Sequence, residues 1–248
     1  MRLLIAYDGG AFSGFAKNLN IRSVAGVLEE GLERILRHPV VVTGAGRTDK
    51  GVHARGQVIS FDTYLDRLDP VKLRRSLNGL CGPDVIVREV SAAPADFDAR
   101  FSATSRTYRY EIDTAETAMP FTARYRWHFT APLSVEDMNA AASVLVGLHD
   151  FTSFCRRPPT AVDAPAVSLR RTVHAAQWSV PGEDRLRFEI TAGAFCHQMV
   201  RSIVGTLVDI GRAKRRVDEI ASILEARDRA VAGDLAPPHG LFLWHVGY

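Results

Sequence analysis

An α+β fold is the architecture this 248-residue sequence predicts: a central antiparallel sheet built from two similar α/β halves, flanked by helices and loops. Three observations carry it. Short runs rich in Val, Ile, Tyr, Phe and Thr recur along the chain, bounded by turn signals. Between them lie segments whose apolar residues fall three and four apart, the helical period. Strands and about two helices occur once before residue 100 and again after it, giving halves at 1–100 and 101–248.

The elements follow in order. Residues 2–7 (RLLIAY) read as a strand, stopped by the turn signal Asp8-Gly9-Gly10. Residues 23–37 read as a helix with Ser23 as its cap; Val24, Val27, Leu28, Leu32, Ile35 and Leu36 supply the apolar face, and Pro39 lies beyond its end. Residues 40–43 and 57–61 read as strands on either side of a segment with neither period. A helix is expected over 70–80 and a strand over 85–90. The Ala-rich stretch 91–99, with Pro94, is the boundary between halves.

In the second half, 104–112 has strand character, and 134–148 reads as a helix opened by Ser134. Residues 155–168, with three prolines, read as a loop. Two strands are expected at 169–179 and 185–191, helices at 196–210 and 217–231, and a closing strand in GLFLWHVGY.

Composition bounds the function classes. Apolar residues at 46% and charged residues at 24% are those of an ordinary globular protein. The net charge is only +3, so a nucleic-acid surface must come from placement of charge, not its total. Only four of the 31 basic residues are Lys; the rest are Arg, whose planar fork suits phosphate and stacks on bases. Cys81, Cys155 and Cys196 are odd in number and widely spaced, so no disulfide framework or zinc site is expected, and a reducing cytosol fits. The N-terminus makes a poor signal peptide, and no run of about 18 apolar residues suggests a membrane span.

The segment GAGRTDKGVHARG, residues 44–56, is the most unusual. Three glycines, at 44, 46 and 51, bracket Arg47, Asp49 and His53. It has neither the G-x-x-x-x-G-K-[ST] nor the G-x-G-x-x-G arrangement, so a nucleotide-cofactor loop is not supported. One Asp without a partner carboxylate argues against two-metal chemistry.

This segment resembles the catalytic loop of the TruA family of tRNA pseudouridine synthases, whose signature is A-G-R-T-D-x-G-V-H. Ala45, Gly46, Arg47, Thr48, Asp49, Gly51, Val52 and His53 match it. Further landmarks agree in order: Tyr7-Asp8-Gly9 and Gly14-Phe15, the run Asp96–Ala103, Tyr108-Arg109-Tyr110, Asp150–Phe154, and Phe195–Arg201. The resemblance spans residues 3 to 246. Phe15-Ala16 stands where the family usually has Trp-Gln, and Cys81-Gly82 where Leu-Pro is usual.

The resemblance implies the pseudouridine synthase fold, a cytoplasmic homodimer and tRNA as partner. It also implies conversion of uridines 38, 39 and 40 of the anticodon stem-loop to pseudouridine, without cofactor or metal. Asp49 would be the nucleophile, attacking either C6 of the ring or C1′ of the sugar. Arg201 would be its cationic partner, and Tyr108 would orient the uracil. Arg47, His53, Arg55 and Arg106 would bind substrate, with Leu241 or Leu243 as an apolar contact near the base.

Arg201 has an argument of its own. In a helix over 196–210 it sits about 100° round from Val200, at the edge of the stripe Val200, Ile203, Val204 and Leu207, with His197 on the same side. Arg22, Arg109, Arg156, Arg157, Arg170 and Arg171 join Arg55 and Arg106 as candidate phosphate contacts. Tyr110 is expected in the core. Three other readings are a non-catalytic RNA-binding module, a phosphate-binding hydrolase, and the same chemistry on another RNA. Asp49 disfavours the first, and the lack of a phosphate-loop lysine or clustered metal ligands the second.

Overall fold

A computed structural model describes residues 1–18, 20–64, 68–157 and 168–248. The chain divides into two compact units, Met1–Arg106 with Phe242–Tyr248, and Thr107–Leu241.

In the first unit β1 (Arg2–Tyr7) pairs antiparallel with both β3 (His53–Ser60) and β4 (Val85–Ser91). β2 (Thr43–Gly44) adds to β3, and β10 (Leu241–Gly247) runs parallel to β3 with Phe242 opposite His53. Burial alternates along β1, with Leu3, Ile5 and Tyr7 inward, as a half-covered strand requires. Two helices cover the sheet. α1 (Val24–Leu36) begins where Ser23 accepts from the Gly26 N–H. α2 (Pro70–Cys81) is capped by Asp69, with Pro70 in its first turn, where a missing N–H costs nothing. Leu28 and Leu32 of α1 and Leu73 and Leu77 of α2 are buried; each such side chain contributes about 1.5–3 kcal/mol.

In the second unit β5 (Ser105–Asp113), β9 (Arg185–Ala192), β8 (Arg170–Gly182) and β7 (Gly147–Asp150) lie side by side in that order. β6 (Trp127–His128) runs parallel to β5. β8 and β9 form an antiparallel hairpin. α3 (Val135–Val144), capped by Ser134, packs against α4 (Met199–Gly211), and α5 (Glu219–Ala226) follows.

The α+β class agrees with the sequence expectation, with five α-helices among the described residues and sheet in both units. The sheet is mixed, however, because β10 and β6 pair parallel with their neighbours. Both arrive after long excursions, so no tight hairpin sets their direction. The strand expected at 40–43 shrinks to Thr43–Gly44. The helix expected to 148 stops at Val144, and Gly147 takes φ 114° as β7 begins. The helix expected to 231 stops at Ala226, where Arg227 turns left-handed. Of the loop expected over 155–168, residues 158–167 lie outside the described residues.

The cysteine expectation is corrected. Cys155 and Cys196 are joined, with Cα atoms 5.7 Å apart, a spacing that disulfides span. Folding brings together two residues whose sequence spacing carried no signal. Among the described residues, no helix is long and apolar enough to cross a membrane.

Candidate active site

The Asp49 loop hangs from β2 and β3 and is braced from outside its own sequence. Its first turn is tied down by the Ala45 N–H on the Val58 carbonyl (2.9 Å). Gln57, with no exposed surface, grips Gly46 from both sides: its Nε2 donates to the Gly46 carbonyl (2.6 Å), and its Oε1 accepts the Gly46 N–H (3.3 Å). Arg106 aims its fork at backbone. Nε and Nη2 donate to the Ala45 carbonyl (3.2 and 3.0 Å), and Nη1 donates to the Ala103 carbonyl (3.0 Å).

Further along, Thr48 is buried. Its hydroxyl hydrogen-bonds the Tyr7 hydroxyl (2.8 Å), and its carbonyl accepts the Phe15 N–H (3.1 Å). Burial pushes the Tyr7 phenol up to about 12, against the opposing pull of its hydrogen bonds with Thr48 and Gln57. Asp49 then opens a turn closed by the Val52 N–H on its carbonyl (3.1 Å), with Gly51 at φ 80°. Its side chain is half-buried, between buried Thr48 and exposed Lys50. Phe15, in place of the usual Trp, is a packing residue here. Its ring lies so close to Gly44 that a Cβ there would stand 2.4 Å from it.

Two residues expected at the substrate are deeply buried. His53 is 2% exposed; its Nδ1 accepts the Gly9 N–H (3.0 Å), and its ring stacks on Phe242 at 4.8 Å. Leu243 has no exposed surface and pairs with Ala54. Side chains so covered hold strands together. Arg106 belongs with them, since it is buried and donates to loop carbonyls. Arg55 is exposed and stacks over Trp244, 4.5 Å from the ring centre.

The second unit carries Tyr108, Arg201 and Leu241. Tyr108 is buried on β5, edge-on to Phe195 at 5.0 Å. Arg109 is paired with Glu189. Tyr110 is fully buried, as expected, and its hydroxyl donates to the Pro237 carbonyl (2.8 Å). Burial holds its phenol well above the ordinary range, with nearby Arg201 pulling the other way. Leu241 is 5% exposed.

α4 differs from its sequence reading. It starts at Met199, so His197 is not on the helix but in the turn before it. Its flanks are not solvent-facing: twelve of its thirteen residues are buried, and Arg201 is the exception. Arg201 Nε donates to the Ala236 carbonyl (2.8 Å), and the Ala236 N–H donates back to the Arg201 carbonyl (3.1 Å). That approach requires glycine at 205, where a Cβ would stand 1.8 Å from the Asp234 carbonyl oxygen.

Sequence reasoning missed the braces, Gln57 and Ala236 above all. A Gln inside the apolar run QVISF was the available signal for the first; Ala236 left none. Among the described residues, no group of three or more His, Cys, Asp or Glu side chains is placed to hold a metal.

A family model described as tRNA pseudouridine synthase matches residues 3–102 and 141–248. The chain is 40% identical over 249 residues to tRNA pseudouridine synthase A of Geobacillus sp. (strain WCH70), covering all of this chain and 98% of that protein. It is 43% identical over 249 residues to the Anoxybacillus flavithermus protein of the same name, with the same coverage. It is 40% identical over 250 residues to that of Bacillus subtilis (strain 168), again with 100% and 98% covered.

Proposed function

The chain belongs to the tRNA pseudouridine synthase family, a family of isomerases acting on tRNA uridine, and from that premise we propose that it converts uridines 38, 39 and 40 of the anticodon stem-loop to pseudouridine, with Asp49 as nucleophile. The reaction breaks the N1–C1′ bond, turns the uracil and joins C5 to C1′. C5 gives up its proton and N1 regains one. Nothing is oxidised or reduced, so the chemistry calls for no cofactor. The carboxylate of Asp49 attacks C6 or C1′ and is released again when the new C–C bond is in place.

What supports the reading most is the way the Asp49 turn is held. An aspartate in a loose glycine-rich loop would sample many positions. This one sits on a backbone fixed by Gln57, Arg106 and Thr48, as a nucleophile that must meet one atom requires. Arg201, the one residue of α4 that is not buried, is assigned to charge on the reacting groups. Tyr108 is assigned to the uracil ring. Exposed Arg47 and Arg55 are assigned to RNA phosphate and to a base that leaves its stack. Leu241 is assigned to the apolar side of the base, while His53, Arg106 and Leu243 position the loop and strand. The protein works as a cytoplasmic homodimer on tRNA.

The test uses tRNA carrying tritium at uridine C5, with the parent protein and Asp49→Ala. Release by the parent, mapping to positions 38–40, and at least a thousandfold less release by the variant are expected. Release by both would remove Asp49 from the chemistry. No release by the parent from competent tRNA would overturn the substrate, and release mapped elsewhere would overturn the positions.

A further inference from the structure

The second unit holds a cavity of about 470 Å³ that the proposed chemistry does not use. Arg156, Arg157, Arg227 and Arg229 all line it, with Thr152 and Gln198 between them. Four arginines on one concave surface favour an anion among them.

The acids at hand are already engaged. Asp228 is in the lining, but its Oδ1 accepts the Ala230 N–H (2.9 Å). Asp150 reaches Arg227 at 3.4 Å while its Oδ1 accepts from the Thr152 N–H (3.0 Å) and hydroxyl (2.6 Å). Four arginines thus share this surface with Asp228 and Asp150, and Asp234 lies near Arg229. Burial lowers the pKa of Arg229, with Asp234 pulling the other way.

The walls are fixed. The Asp228 N–H donates to Ser153 Oγ (3.0 Å), tying the exit of α5 to the turn at 152–154. The Arg156 N–H donates to the His197 carbonyl (2.9 Å), and Cys155 is joined to Cys196 one residue away from each. Gln198, left-handed at φ 67°, opens α4 with no side-chain cap. The first turn of that thirteen-residue helix adds partial positive charge at the same place.

We propose that this cavity is a docking site for a backbone phosphate of tRNA, separate from the Asp49 loop. Arg forks match phosphate oxygens two at a time, and the volume accommodates a nucleotide's phosphate and sugar. Gln198 offers a polar side chain for a remaining oxygen or a 2′-hydroxyl. The site anchors the RNA at a second point, so that register along the strand is set by two contacts.

The proposal rests on the tRNA reading, and the two fail separately. Arg157→Ala and Arg227→Ala are each compared with the parent for binding of unmodified tRNA over a range of salt. The thermal midpoint serves as the check of fold. Each folded variant is expected to lose affinity about tenfold, and the slope of log affinity against log salt is expected to fall by close to one. Inorganic phosphate is titrated in parallel. Unchanged affinity and slope in both folded variants overturn the site. Weaker phosphate binding with unchanged tRNA binding overturns RNA as its occupant and leaves a free-anion site. Weaker tRNA binding by the variants supports the site even if the parent releases no tritium, a result that would overturn the activity alone.

Discussion

The loop at 44–52 carries Asp49 and helix α4 carries Arg201, and they hold these side chains by opposite means. Asp49 rides on a backbone gripped by polar side chains that reach in from elsewhere: Gln57 on Gly46, Arg106 on Ala45, Tyr7 on Thr48. Arg201 rides on a helix whose other twelve residues are buried, with the chain at 234–236 laid against it. Directional bonds set the first position and close packing sets the second. Damage to the first should therefore spoil aim before it spoils the fold. Damage to the second should spoil the fold before anything else.

Gly205→Ala puts that difference under the greatest load. Its Cβ would meet the Asp234 carbonyl oxygen at 1.8 Å, and backbone on both sides leaves nothing flexible to yield. Overpacking of this kind costs about 3 kcal/mol, which for a chain of this size lowers the thermal midpoint by about 6–12 °C. Calorimetry or circular dichroism reads it directly. A midpoint within a degree of the parent would show that the 234–236 segment is not what holds α4.

Arg106→Lys probes the other side and is expected to act chiefly on turnover. A lysine keeps the charge but cannot span the Ala45 and Ala103 carbonyls together. The fold should lose about 1–2 kcal/mol, since partners of a charged donor are left short. Turnover on tRNA should fall at least tenfold at a temperature where both proteins are folded, while the salt dependence of tRNA binding stays as it was. A reduced salt slope with normal turnover would instead make Arg106 a phosphate contact, the role its sequence context suggested.

The same contrast explains what could be read from the sequence. Local signals were sufficient where the physics is local. Ser23, Asp69 with Pro70, and Ser134 open their helices as their side chains dictate. Asp8 ends β1 by accepting the Gly10 N–H. The glycine spacing around Asp49 marked a special loop, and the matched motif marked its residue types. Its bracing was not legible, because Tyr7 and Arg106 lie 41 and 61 residues from the groups they hold. The start of α4 was misplaced for the same reason. Cys196, Met199 and Val200 fit a helical period, but the Arg156 N–H on the His197 carbonyl and the cysteine pair hold the stretch before Met199 in a turn. A residue such as Ala236, used only through its backbone, leaves no trace in a side-chain pattern.

Tyr7→Phe gives the smallest effect at neutral pH and the clearest sign change above it. The variant loses one hydrogen bond to Thr48, worth about 1 kcal/mol. The parent carries a second, pH-dependent difference, because burial raises the folded phenol to about 12 from the ordinary 10. Below pH 10 the phenol is protonated folded or unfolded, and its contribution is fully present. Between 10 and 12 the unfolded chain gives up the proton first. The parent then loses stability as pH rises toward the folded value, by about 2–3 kcal/mol in all. Phenylalanine has no such proton, so its deficit should shrink above pH 10 and reverse before pH 12. Denaturant melts of both proteins at pH 7, 10 and 11.5 measure the gap, and other alkaline titrations largely cancel in the difference. A gap that stays constant from pH 7 to 11.5 would mean that Tyr7 is not buried against Thr48, and the polar bracing of the loop would lose its innermost member.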